Sequence, residues 1–114
     1  MKNNIYVFIL VKSDSSSFKI GLTENLDEII DYYHQVFRFR QDRSFVFSGD
    51  YNQMKNLFNL FTSLLHNYSL PSYLDEDLKN MFDIKALVLL NSFSEILGKY
   101  RIKTKKLSLR KTLE

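Results

Sequence analysis

Ile5-Tyr6-Val7-Phe8-Ile9-Leu10-Val11 and, beyond a polar turn at Ser13-Asp14-Ser15-Ser16-Ser17, Phe18-Lys19-Ile20-Gly21-Leu22-Thr23 are the stretch that decides how this chain folds. The first segment is apolar at every position, so both of its alternating faces need cover, as in the middle strand of a sheet. The second alternates apolar and polar residues, and the serine-rich turn makes the two a β-hairpin. Gly21 inside that alternation marks a bend or bulge. A run this short, rich in β-branched and aromatic residues and without a small-residue cleavage site, reads as a strand rather than a secretory leader.

Working outward, Thr23-Glu24-Asn25 supplies helix-capping residues ahead of Leu26, Ile29, Ile30, Tyr33 and Val36, spaced as one helix face, with Glu24, Asp27 and Glu28 favourable near the start. Helix one is expected from Leu26 to Val36. Ser44-Phe45-Val46-Phe47-Ser48 reads as a third strand closed by Gly49-Asp50, and from Asn52 to His66 Met54, Leu57, Phe58, Leu60, Phe61, Leu64 and Leu65 return to helical spacing. Pro71 then breaks the chain. Asp75-Glu76-Asp77 can start a short helix through Met81 and Phe82, and Ile84 to Leu97 a further one stopped by Gly98. The predicted architecture is α+β: a small three-stranded antiparallel sheet with packed helices in ββαβα order, then C-terminal helices and a basic tail. Three regions follow: a core over 1–70, a helical extension over 71–98 and a tail over 99–114.

Composition bounds the function. Hydrophobic residues at 45% and aromatic residues at 15% lie far from the signature of disorder, so the body folds. The absence of cysteine excludes disulfides and thiolate metal sites. No apolar run approaches the roughly 20 residues of a membrane span, and a soluble, cytoplasmic protein is expected. Charge is unevenly placed. Residues 99–114 hold seven Lys/Arg against one Glu, or +6, whereas residues 1–98 hold nine against twelve, or −3.

The hairpin triplets Asn4-Ile5-Tyr6 and Lys19-Ile20-Gly21, followed by Leu22-Thr23-Glu24-Asn25-Leu26 opening a helix, resemble the GIY-YIG nuclease domain in its branch with lysine at the start of the second triplet. The likeness covers roughly residues 4–70 and extends to Leu64-Leu65-His66 at the end of helix two. It implies phosphodiester cleavage by a divalent ion held by a helix-two glutamate, with a helix-one arginine on the phosphate and the triplet tyrosines near the attacking water. Tyr6 matches the first-triplet tyrosine, and Lys19 takes the second-triplet position. The motif's arginine falls at Ile29 and its glutamate at Thr62, however, and no Lys or Arg occurs over 22–37, nor any Asp or Glu over 51–74. A hard cation needs an oxygen anion, and charge developing on phosphate needs a cationic clamp. The expectation is a fold without its reaction, and no cofactor.

Two basic segments remain. Arg38, Arg40 and Arg43 alternate with Phe37, Phe39 and Phe45, so an extended chain would show arginines on one side and phenylalanines inward. Together with Lys19 these are the candidate nucleic-acid contacts. In the tail, Lys99, Arg101, Lys103, Lys105, Lys106, Arg110 and Lys111 form a dense cationic segment, interleaved with Leu107, Leu109 and Leu113 as in a strand or groove ligand that folds on a partner. The resulting expectation is a non-catalytic DNA-binding accessory protein, a small bacterial or phage transcription regulator. It would bind duplex DNA and dock a protein partner, such as transcription machinery, or an anionic nucleotide through the tail, with no membrane contact. Two alternatives are a nuclease recruiting metal through Asp50 or Glu95, and a protein-interaction module without nucleic acid. His34 and His66 read as ordinary helix histidines.

Overall fold

A computed structural model of the chain describes residues 5–71 and 79–92, together with the backbone of 105–108. Strands β1 (Ile5–Val11) and β2 (Ser17–Thr23) form the expected antiparallel hairpin, followed by helix α1 (Leu26–Val36), strand β3 (Phe45–Gly49) and helix α2 (Tyr51–Leu64). The sheet is larger than the three strands read from the sequence. Strands β4 (Met81–Asp83) and β5 (Lys105–Ser108) extend it to five, all antiparallel, in the order β4-β2-β1-β3-β5.

β1 occupies the centre, as its two apolar faces require. Ile5, Val7, Ile9 and Val11 turn toward α2 and pack with Phe18, Ile20, Phe45 and Phe47 of the neighbouring strands. Phe8 and Leu10 turn the other way, onto Leu26, Ile30 and Tyr33 of α1. The period of two along the strand thus feeds two cores, one on each side of the sheet. α2 closes its side with Met54, Leu57 and Phe61, and Leu65 follows just past its end. Leu60 and Leu64 belong to the same apolar periodicity but stay exposed.

Side-chain caps set both helix starts. Asn25 Oδ1 accepts the Glu28 N–H at 3.2 Å, and Asp50 Oδ1 accepts the Gln53 N–H at 2.9 Å. Helix two ends in a 3-10 turn at His66–Tyr68, where two-residue offsets from a sequence reading are expected.

Beyond Pro71 the reading needs correction. Met81 and Phe82 lie in β4, not in a helix: Phe82 pairs with Phe18 on one side and with Ser69 on the other. Their apolar side chains serve the sheet, with the Phe82 and Phe18 rings stacked 5.7 Å apart. Ile84–Ala86 form a 3-10 turn and residues 87–92 are helical, packing Leu87 and Leu90 into the α2-side core. The acidic start at 75–77, the helix end over 93–97 and the Gly98 stop lie outside the described residues.

Gly21 is neither a bend nor a bulge. Pairing runs without interruption from Tyr6↔Thr23 to Val11↔Phe18, with Gly21 opposite Phe8.

Candidate nucleic-acid interface

The β1–β2 turn and the connection from α1 to β3 meet at one end of the sheet. In the turn, the Asp14 carboxylate accepts the Ser16 hydroxyl at 2.7 Å and the Ser16 N–H at 2.9 Å, and Ser15 adopts a left-handed backbone with φ 60°. The Ser16 hydroxyl, then its N–H, and the nearby Lys12 charge hold the Asp14 carboxyl below its ordinary pKa. Helix α1 ends where the Phe37 and Arg38 N–H groups both donate to the Tyr33 carbonyl, at 3.1 and 3.2 Å. Arg38 is left-handed there, with φ 51°, the helix-terminating position that glycine usually fills. For a residue with a Cβ this conformation costs roughly 1–2 kcal/mol.

The connection then runs antiparallel to the end of β1. Ser13 N–H donates to the Arg38 carbonyl and Arg40 N–H to the Val11 carbonyl, both at 2.7 Å, with Phe39 opposite Lys12. Ser44 locks the junction: its buried hydroxyl donates to the Arg40 carbonyl at 2.6 Å and accepts the Val11 N–H at 2.9 Å. Phe39 anchors it from below in the α1-side core, with the His34 ring against it at 5.1 Å.

Four cations, Lys12, Arg38, Arg40 and Arg43, are thereby gathered against two carboxylates, Asp14 and Asp42. The local sign is opposite to the −3 carried by residues 1–98 as a whole. Arg40 is committed internally. Its guanidinium grips Asp42 through Nε at 3.1 Å and Nη2 at 2.8 Å and reaches the Ser15 hydroxyl at 3.3 Å, tying loop to turn. Both partners of the ion pair are about two-fifths exposed, so its net contribution is under about 1 kcal/mol. Arg38 and Arg43 are exposed and Lys12 half-exposed, and among the described residues none of these three side chains makes a hydrogen bond or ion pair.

The sequence reading is therefore divided. Arg38, Arg40 and Arg43 are exposed and Phe39 and Phe45 buried, but the two rings enter opposite cores, since β3 begins between them. Lys19 is corrected. It is 5% exposed, donates its ammonium to the Lys79 carbonyl at 2.5 Å and lies 5.4 Å from the Tyr33 ring centroid, so it holds β2 to the chain ahead of β4 rather than facing a ligand. Lys12 and Ser44 were missed, because only the pairing of distant segments gives them a role. Lys105 and Lys106 lie on β5, whose backbone pairs with Ser48 and Phe47 of this same chain. Lys99, Arg101, Lys103, Arg110 and Lys111 lie outside the described residues.

At the positions where the resemblance implies catalytic groups, Ile29 packs against the α1-side core and Thr62 donates its hydroxyl to the Phe58 and Asn59 carbonyls of its own helix. Thr62 also lines a shallow polar depression of about 480 Å³ with Ser63, His66, Ser69, Asn80 and Phe82. Among the described residues no three His, Asp or Glu side chains are grouped to hold a metal ion, and no helix is long and apolar enough to cross a membrane. Comparison of the chain with protein-family models, curated proteins and solved structures returns no match.

Proposed function

We propose that this chain is a non-catalytic DNA-binding accessory protein, of the kind found among small bacterial and phage transcription regulators, and that its body is a degenerate relative of the GIY-YIG nucleases. The observation that carries this reading is the convergence of Lys12, Arg38, Arg40 and Arg43 at one end of an otherwise acidic body. Cations concentrated on one edge attract a polyanion, while acidic surface elsewhere repels it and orients the encounter. The kinship is supported by the order of elements: a hairpin carrying Tyr6, α1, a third strand beside β1, then α2. Loss of reaction is supported by Ile29 and Thr62, which supply neither phosphate clamp nor metal anchor.

The tail's proposed docking role narrows to the stretches flanking β5, since the backbone of Lys105–Ser108 is engaged by β3. Transcription machinery and an anionic nucleotide are the proposed partners of those stretches.

The test is binding of the intact protein to duplex DNA over a salt series, with Mg2+-dependent nicking assayed in parallel. A steep linear fall of log K with log salt and no nicking is expected. Nicking that is lost in Tyr6→Phe would establish the nuclease instead. A flat or absent salt response would leave the protein-interaction reading, which the exposed Leu60 and Leu64, one turn apart on α2, favour.

A further inference from the structure

We infer that the end of the sheet formed by residues 12–17 and 37–44 grips the phosphate backbone of DNA without reading its sequence, with Lys12, Arg38 and Arg43 as the contacting residues and Arg40 as an internal strut. The inference rests on the DNA-binding reading above and adds to it which residues touch DNA and what they read.

Division of labour follows from the hydrogen bonds. Arg40 already spends its guanidinium on Asp42 and Ser15, which fixes the loop against the turn. The side chains of Lys12, Arg38 and Arg43 make no hydrogen bond or ion pair with any described residue, Lys12 acting on Asp14 only through its charge, and they stand on backbone held by the Ser44 hydroxyl and the rungs to β1. A cation kept unpaired on a rigid loop loses little on meeting a phosphate.

Arg38 supplies the second argument. Its left-handed φ of 51° is a conformation that glycine adopts without strain, so an arginine there forgoes stability. Strain retained at one residue is a pointer to function. The side chain is exposed and packs into neither core, so burial does not account for it.

Readout is limited by shape. Reading base edges needs a slender element, a helix or a two-stranded ribbon, that enters a major groove about 12 Å wide. The β1–β2 hairpin is flanked by β3 and β4 and covered by α1 on one face and α2 on the other, in a body whose smallest dimension is 26 Å. Its end can rest on the groove edges, where the phosphates are, but cannot descend between them. β5 ends at this same end of the sheet, with Ser108 opposite Phe45.

The experiment measures fluorescence anisotropy of two unrelated 20-base-pair duplexes with the full chain and with Lys12→Gln, Arg38→Gly and Arg43→Gln, each over a salt series, with a thermal melt of every variant. Each substitution should reduce the slope of log K against log salt by about 0.9, equally on both duplexes. Arg38→Gly should at the same time melt at a higher temperature than the parent, so that its weaker binding is not a loss of folding. A parent that binds steeply while all three variants keep its slope would place the DNA elsewhere, overturning this inference and leaving the DNA-binding reading intact. A strong preference for one duplex would overturn the phosphate-only readout. A parent with no salt-dependent binding would overturn the reading and the inference together.

Discussion

The Phe8 ring lies directly over Gly21, its cross-strand partner, so closely that a Cβ on Gly21 would stand 2.1 Å from Phe8 Cζ. The glycine is required by this approach and not by its backbone, which is an ordinary strand. The bare Cα leaves room for the far end of the ring over Gly21, and the same ring meets Tyr33 of α1 at 5.9 Å, joining hairpin and helix. Gly21→Ala should therefore destabilise the fold by about 1–3 kcal/mol through overpacking. In a Phe8→Leu background the same substitution should cost much less, and urea denaturation of the four proteins measures that coupling. Equal costs in both backgrounds would show that the ring is not what the new methyl meets.

Lys19 tests the correction made to the sequence reading. Lys19→Met keeps the buried stem and removes the charged donor to the Lys79 carbonyl, which should cost about 2 kcal/mol. The salt slope of DNA binding should not move. A reduced slope at unchanged stability would return Lys19 to the list of phosphate contacts.

Ser44 is the hinge pin between β1 and the arginine loop. Ser44→Ala leaves the buried Val11 N–H without its acceptor and the Arg40 carbonyl without one of its donors, at a cost of about 1–3 kcal/mol. Amide hydrogen exchange should accelerate at Val11 and Arg40 well before it does at Ile9, because the opening is local. Uniform acceleration across β1 would argue against a local latch.

Asp14 gives the turn a dependence on pH. Its folded pKa is lowered, so the turn it closes is held above the unfolded-state value and released as pH falls through the folded one. A carboxyl 13C titration should place the Asp14 midpoint below that of an ordinary aspartate, with the Ser16 amide shift following the same curve. Ser16→Ala, which removes the largest cause, should raise the midpoint; an unshifted midpoint would assign the effect to the backbone N–H and Lys12 instead.

The sequence by itself determined the elements whose signals are local. The doubly apolar run Ile5 to Val11 had to be a covered central strand, and Asn25 had to help open a helix, because each depends only on residues a few positions away. The three-stranded core and the exposure of Arg38, Arg40 and Arg43 follow from the same short-range patterns. Only the tertiary structure decided what depends on distant pairing. Met81 and Phe82 carry an apolar pair that suits a helix as well as a strand, and the free edge of β2 settles the choice by offering backbone partners. Lys19 has the look of a surface cation until Lys79, sixty residues on, lends it a carbonyl. Lys12 becomes part of a basic end because Ser13, Arg38 and Ser44 bring two loops together across the mouth of β1, an arrangement that no window along the chain contains.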